Sequence, residues 1–138
     1  MAVTVENVTI WRKEVMHKSG ELARALEPLA KAGADLKVIM AYAEKDRGII
    51  EVGPISGAKL TAAATKAGFA ASTKPTLLVE GDDRAGLGFD IAKAIADQGV
   101  SISFDVTQVI GKKYSAVYGF QSDDAARKAA DAIKKAAR

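Results

Sequence analysis

Apolar positions along this chain recur at two spacings, and the alternation between them predicts its elements. Ile102, Phe104 and Val106 alternate with Ser101, Ser103, Asp105 and Thr107, the period of two that marks a strand with one face buried. Tyr114, Ala116, Tyr118 and Phe120 repeat it beyond Gly111, which predicts a hairpin. Strand patterns also cover residues 4–12, 36–42, 48–55 and 76–80. Leu22, Leu26 and Leu29 form a helical stripe, Leu87, Ile91 and Ile95 another, and Ala126, Ala129, Ala130 and Ile133 a third with Ser122 placed to cap it. The predicted helices are 20–32, 57–67, 86–98 and 122–138, and Pro28 is expected to kink or shorten the first.

The pattern occurs twice. Gly20 and Gly33 bracket the first stripe as Gly86 and Gly99 bracket the second, each 66 positions on (86 − 20 = 66; 99 − 33 = 66). A repeat of that length divides the 138 residues into units 1–72 and 73–138, each marginal if it folded alone. The order of the first unit is strand, helix, strand, strand, helix, short strand, the split βαβ arrangement called ferredoxin-like, so the expected class is α+β. The second unit reaches residue 138 straight after its second helix, with no residues for a final strand. The unpaired edge this leaves is expected to be filled by residues 3–5, by the other repeat or by a second subunit.

The chemistry concentrates where each first strand meets its helix. In the second unit the corner is Asp82, Asp83, Arg84, Ala85, Gly86 and Leu87; in the first it is His17, Lys18, Ser19, Gly20, Glu21 and Leu22. The first turn of a helix offers unpaired N–H groups and a partial positive charge, and glycine there lets a ligand approach the main chain. An ammonium would be held by Asp82 or Asp83, and by Glu21 or Glu14 in the first corner. A further anion contact would come from Arg84, and from Lys18 or His17. Carboxylate and ammonium partners at one corner suit an α-amino acid.

Other chemistries find little support. The chain has no cysteine and a single histidine, His17, which excludes thiol nucleophiles, disulfides and multi-histidine metal centres. Asp82 and Asp83 are adjacent without the further carboxylates of a calcium loop, and Gly81, Gly86 and Gly88 match neither phosphate-loop spacing, so no metal or cofactor is expected. No serine has a credible base, so no catalytic residue is assigned. The 20 basic residues are interleaved with 17 acidic ones for a net charge of +3, and aromatic content is 6%; an RNP-type run is missing. A ferredoxin-like nucleic-acid-binding or purely protein-interacting module therefore stands as the alternative, with a small hydrolase third. No apolar run nears the roughly 18 residues of a membrane span and no signal peptide is visible, which places the chain in the cytoplasm. Trp11 is expected at the end of the first strand as a core or interface anchor.

The stretch Val79-Glu80-Gly81-Asp82-Asp83-Arg84-Ala85-Gly86-Leu87, with the helix and strand after it, resembles the ACT family, and the first half echoes it. Where that family often carries Asp-Arg-Pro-Gly, this chain has Asp83-Arg84-Ala85-Gly86, and His17-Lys18-Ser19-Gly20 in the first repeat, without the acidic residue. The resemblance implies a non-enzymatic regulator that binds an amino acid between paired domains. It further implies a homodimer whose association with a regulated partner responds to the ligand.

Overall fold

The computed structural model describes residues 3–138, which form two four-stranded antiparallel sheets, each backed by helices, in an α+β architecture. The elements are β1 (Thr4–Val8), β2 (Trp11–Met16), α1 (Glu21–Lys31), β3 (Val38–Glu44), β4 (Arg47–Gly53), α2 (Ala58–Lys66), β5 (Ala70–Ala71), β6 (Thr76–Asp82), α3 (Leu87–Asp97), β7 (Phe104–Ile110), β8 (Lys113–Gly119) and α4 (Asp123–Ala136). One compact unit is Thr9–Thr73; the other joins residues 3–8 to Lys74–Arg138.

The boundary expected at residue 72 therefore describes only the middle of the chain. The strand expected over 4–12 is two strands in two sheets: β1 pairs with β6, Thr4 opposite Glu80 and Val8 opposite Thr76, while β2 pairs with β4 and β5. Of the fillers considered for the open edge, the N-terminal segment is the one found, over residues 4–8. The period of two runs through both strands, so the pattern could not mark the crossing between sheets. Trp11 accordingly begins β2, opposite Val52 and Ala71.

In the Thr9–Thr73 unit the sheet order is β3-β4-β2-β5, and Ile50 and Val52 bury against Ala25 and Leu29 of α1, Ala64 of α2, and Phe69. Pro28 sits inside α1 without ending it; the helix runs to Lys31, and the Ala32 N–H donates to the Pro28 carbonyl at 3.1 Å. In the other unit the order is β1-β6-β8-β7, and Leu77, Val79, Tyr114, Ala116, Tyr118 and Phe120 meet Leu87, Ile91 and Ile95 of α3 and Ala126, Ala129 and Ile133 of α4. Ser122 caps α4 as expected, accepting from the Ala125 N–H at 3.1 Å.

The hairpin of β7 and β8 forms, but β7 does not bury one face. It is an edge strand, exposed from Asp105 to Ile110, with Val106 at 49%. Its anchor is Phe104, whose ring lies over Gly119; a β-carbon built there would come within 2.0 Å of it.

Displacement by 66 positions carries one unit onto the other element by element. α1 (21–31) becomes α3 (87–97), β3 (38–44) becomes β7 (104–110), and β4 (47–53) becomes β8 (113–119). The register follows too: Val15 faces Gly48 as Gly81 faces Tyr114, and Ala43 faces Gly48 as Val109 faces Tyr114.

Candidate functional site

The two strand-helix corners share a backbone. Gly20 and Gly86 precede their helices with φ of 87° and 81°, a left-handed conformation that glycine adopts without strain. Each lets its chain turn from strand into helix within a few residues. The Arg24 N–H donates to the Gly20 carbonyl at 3.0 Å, and the Asp90 N–H to that of Gly86 at 2.9 Å.

Their side chains behave differently. At the second corner Lys113 binds Asp82 at 2.5 Å and holds its carboxyl below the usual range. Arg84 bonds Asp90 at 2.6 Å and the Ala136 carbonyl at 2.9 Å, so the expected anion contact already has two acceptors within its own unit. The Asp83 N–H is bonded to the Lys112 carbonyl at 2.9 Å. Leu87 is buried in the core of its unit, whereas Ala85 and Gly86 are exposed.

At the first corner the charges cluster around one carboxylate. Glu21 accepts from Arg24 at 2.9 Å and lies 3.7 Å from Lys18; the bond from Arg24 holds its carboxyl below the ordinary glutamate value. The guanidinium of Arg24 also caps the Ser19 carbonyl at 3.1 Å. His17 is exposed, its main-chain N–H donating to Asp46 at 3.0 Å. Glu14, the other candidate carboxylate, lies opposite Ile49 on the face turned away from α1 and sits 3.8 Å from Arg12.

Beside this first corner opens a pocket of about 230 Å³. His17, Lys18 and Glu21 line its polar side. Val15, Leu22, Ala41, Ala43, Gly48 and Ile50 form most of the rest, which makes it apolar away from the corner. Strand pairing explains the grouping: Val15 and Ala43 both face Gly48, and Ala41 faces Ile50, so these residues share the face of the sheet on which α1 packs. Because β3 is the sheet edge, Ala41 and Ala43 are left uncovered there. Sequence reasoning assigned His17, Lys18, Glu21 and Leu22 to this corner but missed the sheet residues that give it depth. The signal was the 66-residue offset, which sets Gly48 against Tyr114 and could have been read along the strands as well as the corners.

Among the described residues, no group of three or more Asp, Glu or His side chains is placed to hold a metal ion, and no helix is long and apolar enough to cross a membrane. No family model matches the chain, and no curated protein does. Solved structures do. A protein of Bacteroides thetaiotaomicron aligns with a TM-score of 0.75 at 18% identity, over 94% of this chain and 98% of that one. The ligand-free regulatory subunit of aspartate kinase from Thermus thermophilus aligns with a TM-score of 0.69 at 15% identity, over 100% and 98%. Aspartate kinase of Clostridium acetobutylicum aligns with a TM-score of 0.65 at 15% identity, over 99% of this chain but 34% of its own. These likenesses establish the fold of this chain as a pair of ACT-type, ferredoxin-like repeats.

Proposed function

We propose that the protein is a non-catalytic regulatory module that binds a free amino acid at its first strand-helix corner. The observation that carries this reading is the pocket beside Glu21 and Gly20, where a helix start, a charge cluster and an apolar cavity meet. The α-carboxylate lies at the first turn of α1, close to Lys18, and the ammonium lies against Glu21. The likeness to regulatory subunits of aspartate kinase supports the regulatory part of the reading.

Size agrees. A volume of 230 Å³ is that of roughly seven or eight waters at about 30 Å³ each, the scale of a small amino acid and below the 300 to 1,000 Å³ usual for drug-sized ligands. A helix start contributes only about 0.3 to 1 kcal/mol, while micromolar affinity needs about 8, so nearly every ligand atom must be covered. The exposed edge strand β3, with Ile39 and Tyr42 turned to solvent, supports a second copy of the chain as the missing wall. Ligand would then strengthen the dimer and alter what it associates with, a coupling of about 1 to 3 kcal/mol being typical.

The test is a thermal-shift screen against the twenty amino acids, in which a ligand at 100 times its dissociation constant stabilises by about 2.7 kcal/mol. A selective rise that disappears in Gly20→Val supports the reading. Its persistence there but loss in Gly86→Val would move the site to the second corner, and a flat screen would remove amino acids as the ligand.

A further inference from the structure

The two repeats differ where the first has its pocket. Gly48 faces Val15 on the floor of the first pocket; 66 residues on, Tyr114 faces Gly81 in the same place. Tyr114 is 2% exposed, and its hydroxyl lies 2.5 Å from that of Tyr118. Glu21 of the first corner is matched by Leu87 (21 + 66 = 87), which is also 2% exposed and belongs to the same apolar cluster as Tyr114. Where the first repeat has a cavity with a carboxylate at its mouth, the second has a phenol ring and an isobutyl group.

We infer that the chain holds one open ligand site rather than two, that Tyr114 fills the second from within, and that the open site takes an amino acid with a small aliphatic side chain. This rests on the regulatory reading above and adds the class of ligand and the number bound.

The class follows from the walls. Beyond the corner, the sheet side chains around the pocket that share the face of Val15 are aliphatic, Val15, Ala41, Ala43 and Ile50, and Leu22 of α1 adds another. Glu21 is the carboxylate of the lining, and Arg24 and Lys18 already face it. An α-ammonium can join that cluster, but a second ammonium on a lysine side chain would meet no carboxylate of its own. A hydroxyl deep in the pocket would meet methyl groups and the bare Gly48. A branched hydrocarbon of three or four carbons leaves no polar atom unpaired.

Gly48 and Val15 both line the pocket. A β-carbon at Gly48 would stand 3.0 Å from Cγ2 of Val15, so alanine presses on that wall and leucine crowds it further.

The experiment is isothermal titration of the full-length protein with L-valine, L-leucine, L-isoleucine, L-lysine and L-threonine, repeated on Gly48→Ala, Gly48→Leu and Tyr114→Ala, with circular dichroism to verify folding. The expected result is one aliphatic amino acid per chain, weakened several-fold in Gly48→Ala and at least tenfold in Gly48→Leu. Tyr114→Ala is expected to keep the first site at its original affinity, and Gly48→Ala covers the case in which Gly48→Leu fails to fold. Preference for lysine or threonine, two ligands per wild-type chain, or binding that survives in folded Gly48→Leu would overturn the inference while the regulatory reading stands. Binding of none of these five would overturn the inference, and a flat thermal-shift screen of all twenty amino acids would remove both.

Discussion

The guanidinium of Arg84 donates to the main-chain oxygen of Ala136 at 2.9 Å, tying the second strand-helix corner to the last turn of α4. The same side chain binds Asp90, both groups being a little over two-fifths exposed, so the pair itself contributes little. Arg84→Ala should lower stability by about 0.5 to 1 kcal/mol. It should speed amide exchange at the end of α4 and leave amino-acid affinity unchanged. Exchange mass spectrometry and titration read the two effects separately, and a large loss of affinity would return the second corner to the list of binding sites.

Gly119→Ala tests the anchoring of the β7 edge. Its new methyl would fall 2.0 Å from the Phe104 ring, so ring or strand must move, at a cost of about 1 to 3 kcal/mol. Urea denaturation measures it, and Phe104→Leu in the same background should restore part of the loss by making room.

Removing residues 1–8 strips β1 from its pairing with β6. The bare edge of β6, whose Leu77, Leu78 and Val79 are buried in the intact protein, becomes available for pairing between chains. Light scattering should show association of the truncated protein at concentrations where the parent is unaffected. Amide protection should fall first in β6, with residues 9–73 the more resistant part.

Burial pushes the Tyr118 phenol up, and its bond to Tyr114 pushes the same way. In the unfolded chain Tyr118 ionises near pH 10, whereas in the folded one it stays neutral. Its contribution is therefore complete below about pH 10 and declines as pH rises beyond that value. Tyr118→Phe should flatten the alkaline limb of a stability-pH profile. At neutral pH it should cost about 1 to 2 kcal/mol, because the Tyr114 hydroxyl loses its partner.

Glu21→Gln keeps the shape of the first corner and removes its negative charge. Amino-acid affinity should fall about tenfold or more, as expected when a charged partner is lost, while the melting temperature moves little. Arg24 holds the Glu21 carboxyl below its ordinary value, so affinity should persist as pH falls into the usual glutamate range and decline only beneath it. An affinity already halved well above that range would remove Glu21 from the site.

Much of the fold was legible because each repeat states its periods plainly: the stripes of α1 and α3, the Gly20 and Gly86 corners and the β7 and β8 hairpin all lie where the pattern places them. What escaped was relational. Residues 4–12 read as one strand, and nothing local shows that Thr9 and Ile10 pass between two sheets. The alternation of Ile102, Phe104 and Val106 resembled a buried face, yet burial depends on whether a helix covers the strand, and β7 lies at an edge. At the candidate site, the corners were visible because charge and glycine mark them in sequence. The pocket beside Gly48 was hidden because an absent side chain means nothing until the strand opposite is known.

The path of β1 has a consequence for the order of folding. Val8 and Thr76 are cross-strand partners separated by 67 residues (76 − 8 − 1 = 67), where a hairpin would need about two to five. Loop closure costs about 0.6 kcal/mol for each doubling of length, so joining these ends through an unstructured chain would cost about 2 to 3 kcal/mol more than through a tight turn. The Thr9–Thr73 unit reduces that penalty by closing on itself: Trp11 faces Ala71, and the Ser72 N–H donates to the Ile10 carbonyl at 2.7 Å. Once it has folded, its entrance and exit lie side by side and it serves the rest of the chain as a long but rigid hairpin turn. Folding of the guest segment first would lower the cost of pairing β1 with β6, and a short turn from Val8 to Thr76 should let the host segment fold without it.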